Sequence, residues 1–187
     1  MEERLSNWER MRSGLVYNDF DEELVARRVR AKRLFRAYNK TDDEEAAHRL
    51  ELLRELFAHV GEGVLIEPDF CCEFGCNISF GDRSYMNFGG VILDCCPVTI
   101  GDDVLMGPHV GLYTANHSLD ADRRAAGEGQ GGPITIGDKV WLGGSVQVVG
   151  GVTIGECSVV GTGSVVTHDI PAHSLAVGSP ARVIRQL

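Results

Sequence analysis

Residues 136–171 read IGDKVW, LGGSVQ, VVGGVT, IGECSV, VGTGSV and VTHDIP when they are divided into groups of six. The first residue of every group is aliphatic, and the second is glycine in four of the six groups. The aliphatic positions are Ile136, Leu142, Val148, Ile154, Val160 and Val166. A period of six fits neither an α-helix nor a long two-residue alternation. It is typical of short extended segments that turn a corner every six residues, with the aliphatic side chain inside and a glycine where the backbone turns.

An earlier part of the chain keeps the same period. Residues 80–93 read FGDRSY, MNFGGV and IL, and after a slip of two residues the pattern resumes at Ile100 with IGDDVL and MGPHVG. A single segment of this length buries little surface, so its stability has to come from the stacking of successive coils. The repeats predict a mainly β fold with a solenoid over residues 64–187, in which Ile154 stacks against residues 136 and 172.

The first third of the chain is of a different kind. Residues 1–63 contain 3 of the 23 glycines and are rich in charged side chains. Apolar residues recur at helical spacings in residues 21–38 and again in residues 47–60. Residues 41–44 (TDDE) form the sequence pattern of a capping box in front of the second helix. We therefore predict two domains, a helical unit over residues 1–63 and the solenoid over residues 64–187.

Charge and composition disfavour several classes of function. The formal net charge of −9 makes nucleic acids and anionic membranes poor partners. A group of basic residues in the first long helix is flanked by acidic ones, which predicts a solvated helix face: Arg27, Arg28, Arg30, Lys32, Arg33 and Arg36. No apolar run is long enough to span a membrane and no export signal is visible, so we expect a cytoplasmic protein with reduced thiols.

Most of the cysteines cluster early in the solenoid, at Cys71, Cys72, Cys76, Cys95 and Cys96. Their spacing is not that of a zinc knuckle, and cysteine is also a small apolar residue that suits tight corners. We interpret them as core residues and expect no metal.

Four parts of the chain resemble a known family: the N-terminal helical unit, residues 72–94 (CEFGCNISFGDRSYMNFGGVILD), residues 112–120 (LYTANHSLD) and residues 177–185 (VGSPARVIR). These motifs resemble the hexapeptide-repeat acyltransferases, in particular the maltose and galactoside O-acetyltransferases. The resemblance implies a left-handed parallel β-helix preceded by a helical unit. It also implies an acetyl-CoA-dependent enzyme that acetylates a sugar hydroxyl, and a homotrimer with its active sites between neighbouring subunits.

One segment interrupts the repeat. Residues 113–133 are polar and glycine-rich, so we expect them to leave the solenoid as an extended loop, where binding and catalytic residues often lie. His117 stands near the start of this loop. Histidine has a pKa near neutrality, which suits a general base. In the resembling family, the histidine of this motif takes the proton from the acceptor hydroxyl, which attacks the thioester of acetyl-CoA.

The resemblance also implies the residues that bind the two substrates. On the acceptor side they are Asp19, Glu73, Tyr85, Asn87 and Asp94. On the coenzyme side they are Asn87, Trp141, Gly144, Thr162, Thr167, His168, Arg182 and Arg185. Asp19 precedes a helix and could equally be an N-cap. Two positions depart from the family pattern, because Cys95 stands where galactoside acetyltransferases carry an acidic residue and His168 stands where lysine is common.

Other interpretations stay open at this point. Outward positions of the later repeats are apolar, which supports association with further copies: Trp141, Val149, Val159 and Val165. The acceptor could be a non-sugar hydroxyl, such as that of an antibiotic or an amino acid. A zinc hydro-lyase on the same solenoid would need three histidine ligands, of which His109 and His117 could supply two. A non-enzymatic solenoid subunit is the remaining alternative.

Overall fold

The computed structural model describes residues 5–187. It contains four helices, α1 (Asn7–Arg12), α2 (Glu22–Tyr38), α3 (Ala46–Leu56) and α4 (Ala121–Ala125). The first strands are β1 (Tyr17–Asn18), β2 (His59–Val60), β3 (Leu65–Ile66), β4 (Cys71–Cys72), β5 (Ile78–Phe80), β6 (Tyr85–Met86), β7 (Val91–Leu93), β8 (Val98–Ile100), β9 (Leu105–Met106) and β10 (Gly111–Tyr113). They are followed by β11 (Ala115–His117), β12 (Glu128–Gly131), β13 (Ile134–Ile136), β14 (Trp141–Leu142), β15 (Gln147–Val149), β16 (Thr153–Ile154), β17 (Val159–Val160), β18 (Val165–Val166), β19 (Ser174–Gly178) and β20 (Ala181–Gln186).

Most of the strands form three sheets, which are the three faces of a solenoid. The first face contains β2, β5, β8, β13 and β16, and the third face contains β4, β7, β10, β15 and β18. The second face contains β3, β6, β9, β14, β17 and β19, with β20 added antiparallel at its edge. All other pairs in these faces are parallel, so each coil adds one strand to every face. A parallel solenoid preceded by helices confirms the fold class predicted from the repeats.

The interior of the solenoid is formed by the repeated aliphatic positions. All six residues from Ile136 to Val166 that begin a group are at most 1% exposed. Ile154 pairs with Ile136 on one side, but its neighbour on the other side is Ile170. The expected contact with residue 172 is therefore wrong, because the last coil is two residues shorter than the regular repeat.

The outward side chains differ between the three faces. On the first face they are polar, with His59, Ser79, Thr99, Thr135 and Thr153 in one row across the strands. On the second face the corresponding row is largely apolar and well exposed, with Leu65 at 45%, Leu105 at 51% and Trp141 at 54%. On the third face, half-buried Val91, Leu93, Val149 and Val165 point outward.

The N-terminal helices close the open end of the first coil. The Tyr38 hydroxyl and the Arg49 guanidinium both donate to the carbonyl of Ile66. Asn39 exchanges two hydrogen bonds with the backbone of Phe70, at 2.8 and 3.0 Å. Because these side chains satisfy backbone groups that have no strand beyond them, the helical unit protects the edge of the solenoid.

Two features of the helices differ from the sequence expectations. Thr41 does not cap α3, because its hydroxyl donates instead to the Tyr38 carbonyl at the end of α2, and α3 begins at Ala46 without a side-chain cap. A capping box does form at α1, between Ser6 and Glu9. No helix within residues 5–187 is both long enough and apolar enough to cross a membrane.

The segment between β10 and β13 is more ordered than the expected loop. β11 and β12 form an antiparallel pair with α4 between them, and β1 from the N-terminal unit adds to the other edge of β12. We call this three-stranded sheet the arm. It joins the N-terminal unit to the solenoid through backbone hydrogen bonds.

Candidate functional site

The arm places His117 beside residues of the N-terminal unit. Tyr17 and His117 are both in register with Gly129 of the middle strand, from opposite sides. Residues in register across a sheet project to the same face, so the side chains of Tyr17 and His117 share one face of the arm. The backbone pairing with the middle strand extends to Asp19, because its amide donates to the carbonyl of Gly127 at 2.8 Å. Side-chain alternation then gives Asp19 the same face as Tyr17.

Arg28 links Asp19 to Glu73. Its guanidinium forms ion pairs with both carboxylates and also donates to the Asp19 carbonyl at 2.9 Å. Only 14% of the Arg28 side chain is exposed, and the guanidinium lies 5.3 Å from the centre of the Phe74 ring. The prediction of a solvated face is therefore wrong for Arg28. Because a single cation orients both carboxylates, Asp19 and Glu73 form one polar cluster.

The N-cap role that Asp19 could have taken belongs to Asp21. The Asp21 carboxylate accepts from the amide of Glu23 in the first turn of α2. Asp19 is left free to bind Arg28, and 28% of its side chain remains exposed. The N-cap alternative for Asp19 is therefore wrong, and its role in binding an acceptor stays a prediction.

Replacing Arg28 with alanine is expected to lower the free energy of unfolding by about 1–3 kcal/mol, because two half-buried carboxylates lose their charged partner. Arg33 lies on the same helix with an exposed side chain, so its replacement with alanine should change stability by less than about 0.5 kcal/mol. Urea denaturation of both variants measures the difference. Equal stability of the two variants would contradict the structural role of Arg28.

Asp94 is completely buried. Its carboxylate accepts from the amides of Glu73, Phe74 and Asn77, at 3.1, 2.8 and 3.2 Å. The side chain is thus enclosed by the turn that carries Glu73, rather than open to an acceptor. Asp94 therefore supports the turn that carries Glu73, and its contact with an acceptor stays a prediction.

The stability of the protein should depend on the charge of Asp94. Burial raises the pKa of this carboxyl from 3.8 to about 7, although the backbone amides around it oppose the shift. Between these values the folded chain holds a proton that the unfolded chain has lost, so stability falls as the pH rises through this window. The slope is at most about 1.4 kcal/mol per pH unit. Urea denaturation at several pH values should show this slope as the difference between the parent and Asp94→Asn, and a flat difference would contradict it.

Part of the coenzyme-side set (Asn87, Trp141, Gly144 and Thr162) lies on the second face and at the corner that follows it, together with the acceptor-side residue Tyr85. Trp141 is in register with Leu105 and Val159 on this face. Tyr85 is in the same row, with its hydroxyl 3.4 Å from a carboxylate oxygen of Glu67. Asn87 follows β6 at the corner, Gly144 follows β14 and Thr162 follows β17.

Gly144 is less crowded than the adjacent Gly143. A methyl group at Gly143 would lie 2.6 Å from the amide nitrogen of Thr162, so the stacking of coils requires glycine there. A methyl group at Gly144 would meet nothing closer than 3.4 Å, at Pro108. Packing within the chain does not require glycine at 144, and the bare backbone leaves room for the close approach of a ligand.

The C-terminal hairpin brings two of the expected coenzyme-side residues, His168 and Arg182, together. His168 and Arg182 line a cavity of about 380 Å³, and the Thr167 hydroxyl lies 2.9 Å from Nδ1 of His168. Arg185 is not part of this cavity and lies opposite Leu175 in β20. The cavity therefore contains two of the expected coenzyme residues and supplies at least one permanent positive charge.

The predicted site residues occupy two different corners of the solenoid, and the acceptor-side residues Tyr85 and Asn87 lie at the same corner as Trp141 and Gly144. Glu73 and the arm follow strands of the third face, at its corner with the first face. Asn87 and Gly144 follow strands of the second face, at its corner with the third. The cavity of about 500 Å³ that includes His117 contains no coenzyme-side residue. One chain alone therefore does not place His117 next to Trp141.

The cysteines contribute to packing. Cys72, Cys95 and Cys96 are buried, and all six cysteines are free thiols. Burial raises the pKa of Cys95 to about 12, so this thiol stays protonated. Within residues 5–187, no group of three His, Cys, Asp or Glu side chains is arranged to hold a metal ion.

Sequence comparison places both parts of the chain in described families. Residues 10–61 match the maltose acetyltransferase hexapeptide capping motif, and residues 133–168 match the bacterial transferase hexapeptide with six repeats. The galactoside O-acetyltransferase of Escherichia coli K12 is 43% identical to the chain, over 96% of this chain and 88% of the relative.

Solved structures agree with this comparison over almost the whole fold. A maltose O-acetyltransferase from Clostridium difficile 630 is 42% identical and superposes with a TM-score of 0.96, over 99% of both chains. A hexapeptide-repeat acetyltransferase from Vibrio cholerae, solved with acetyl coenzyme A, is 46% identical with a TM-score of 0.90, over 98% of this chain and 99% of the other. The chain thus belongs to the maltose and galactoside O-acetyltransferase family of hexapeptide-repeat enzymes.

Proposed function

We propose that this enzyme transfers the acetyl group of acetyl-CoA to a hydroxyl group of a sugar, with His117 as the general base. The observation that carries the proposal is the shared face of the arm, on which His117, Tyr17 and Asp19 project. The middle strand has only hydrogen at Gly129 between the two flanking side chains. A polar acceptor can therefore approach His117 beside the cluster of Asp19, Arg28 and Glu73.

The reaction follows from the chemistry of these groups. Neutral His117 accepts the proton of the acceptor hydroxyl, and the oxygen attacks the thioester carbonyl of acetyl-CoA. A carbon–oxygen bond forms, the carbon–sulfur bond breaks, and the proton passes to the thiolate of coenzyme A. Asp19 and Glu73 accept hydrogen bonds from other hydroxyls of the sugar, and Arg28 keeps their carboxylates in place.

Acetyl-CoA is the acetyl donor, and the second face and its corner fit it. The exposed ring of Trp141 and the bare backbone of Gly144 offer a surface for the pantetheine arm. Asn87 and Thr162 supply polar groups at the same corner. At the C-terminal end, Thr167, His168, Arg182 and Arg185 are the residues for the phosphates of the coenzyme. His168 contributes charge only when it is protonated, whereas the arginines contribute it at every working pH.

We further propose a cyclic homotrimer with three active sites between subunits. Two faces of the solenoid carry apolar outward side chains and the first face carries polar ones. Burying two adjacent faces against two neighbours leaves the polar face in water, as a closed threefold ring requires. Such contacts also bring the His117 corner of one copy towards the Trp141 corner of the next.

The release of free thiol from acetyl-CoA tests the proposed reaction. The purified enzyme is assayed with a panel of monosaccharides and disaccharides, and with serine and an aminoglycoside as non-sugar hydroxyl compounds. We expect sugar-dependent release together with a mass increase of one acetyl group on the sugar. Release that depends only on a non-sugar compound would contradict a sugar acceptor.

A further inference from the structure

Tyr17 belongs to the N-terminal unit, but its side chain lies over the arm that carries His117. A methyl group built on Gly129 would lie 2.8 Å from Cζ and 2.9 Å from Oη of Tyr17. The phenol therefore extends over the middle strand of the arm, towards the strand that carries His117. Any side chain at residue 129 would occupy the space that the phenol fills, so glycine at this position allows Tyr17 its orientation.

The environment of Tyr17 keeps its hydroxyl protonated. The residue is 5% exposed and packs in a small core with Met11, Leu24, Phe74 and Cys95. Burial, together with the adjacent Cys95 thiol, raises the pKa of the phenol well above its ordinary value. The hydroxyl is therefore a hydrogen-bond donor at every working pH.

Tyr17 packs in the same buried cluster as Cys95. A thiol sulfur is a poor hydrogen-bond acceptor compared with an oxygen. Asp19 is paired with Arg28. A hydroxyl oxygen of a bound acceptor would therefore be the better partner for Tyr17.

We propose that Tyr17 is an acceptor-binding residue and that Gly129 makes this role possible. The hydroxyl donates a hydrogen bond to an oxygen of the acceptor that lies next to the oxygen deprotonated by His117. The inference rests on the proposed function and narrows it, because it assigns the enzyme acceptors with at least two neighbouring oxygens. Tyr17 and the Asp19–Arg28–Glu73 cluster then hold the acceptor on one side of His117.

Two substitutions test the proposal with the sugar that gives the fastest thiol release. Tyr17→Phe removes only the hydroxyl and should raise the acceptor KM about 10-fold, the value of one hydrogen bond. Gly129→Ala should displace the phenol and raise the acceptor KM by a similar factor. The double variant should be no worse than the poorer single variant. The KM for acetyl-CoA should stay within about two-fold in all three variants.

A matched control is Tyr113→Phe, which removes a phenol hydroxyl from the third face of the solenoid and should leave both KM values unchanged. Monodeoxy analogues of the sugar add a second test, because Tyr17→Phe should lose its defect with the one analogue that lacks the partner oxygen. An acceptor KM within two-fold of the parent in folded Tyr17→Phe would overturn the role of Tyr17. A parent enzyme without sugar-dependent thiol release would instead overturn the proposed function.

Discussion

Replacing His117 with alanine is expected to lower the turnover number about 10²–10⁴-fold, because the acceptor hydroxyl loses the group that removes its proton. The side chain is exposed at the edge of the arm, so the variant should fold like the parent. Thiol release at saturating acetyl-CoA measures the turnover number, and thermal unfolding confirms the fold.

The control for this experiment is His48→Ala. His48 lies exposed on α3, away from the arm, and its loss should leave the turnover number unchanged. A His117→Ala enzyme that works within a few-fold of the parent would remove His117 from the mechanism, whatever the fate of the other variants.

Replacing Ile154 with alanine is expected to lower the free energy of unfolding by about 2–5 kcal/mol. Ile154 is fully buried between Ile136 and Ile170, so the shortened side chain leaves a cavity inside the stack of coils. Urea denaturation at one fixed protein concentration measures the change, since association with other copies would otherwise shift the transition.

Thr153→Ala provides the comparison within the same strand. Thr153 points outward on the first face and is exposed, so its replacement should change stability by less than about 0.5 kcal/mol. Similar losses for Ile154→Ala and Thr153→Ala would show that the assignment of inward and outward positions is wrong.

The sequence predicted the solenoid because one simple rule, an aliphatic residue at every sixth position, governs its interior. The same rule does not fix the length of the final coil, which is why residue 172 was expected where Ile170 lies. It also carries no information on the arm, whose middle strand pairs with Tyr17 and Asn18 from the distant N-terminal unit. Pairing between segments so far apart leaves no periodic signal.

Candidate site residues could be predicted where they lie in a short sequence motif. They could not be predicted where their partners come from distant segments of the chain. His117 was predicted from its motif, and its role stays a proposal. Arg28 was not predicted, because its five basic neighbours in sequence resemble a solvated face and its carboxylate partners come from two other segments. Tyr17 had no sequence signal either, since its proposed role depends on Gly129, which faces it across the arm. The motif also marked Asp94, but it could not show that this carboxyl is completely buried under the turn that carries Glu73.

The central claim of this account is that each active site takes His117 from one subunit and the Trp141 surface from its neighbour. Mixing two defective proteins, His117→Ala and Trp141→Ala, tests it most directly. The two are unfolded together, refolded, and checked for mixed trimers by native mass spectrometry. Random mixing should then give roughly a quarter of the sites an intact His117 and an intact Trp141. We predict thiol release near that fraction of the parent activity, whereas mixed trimers no more active than the separate variants would contradict a shared site.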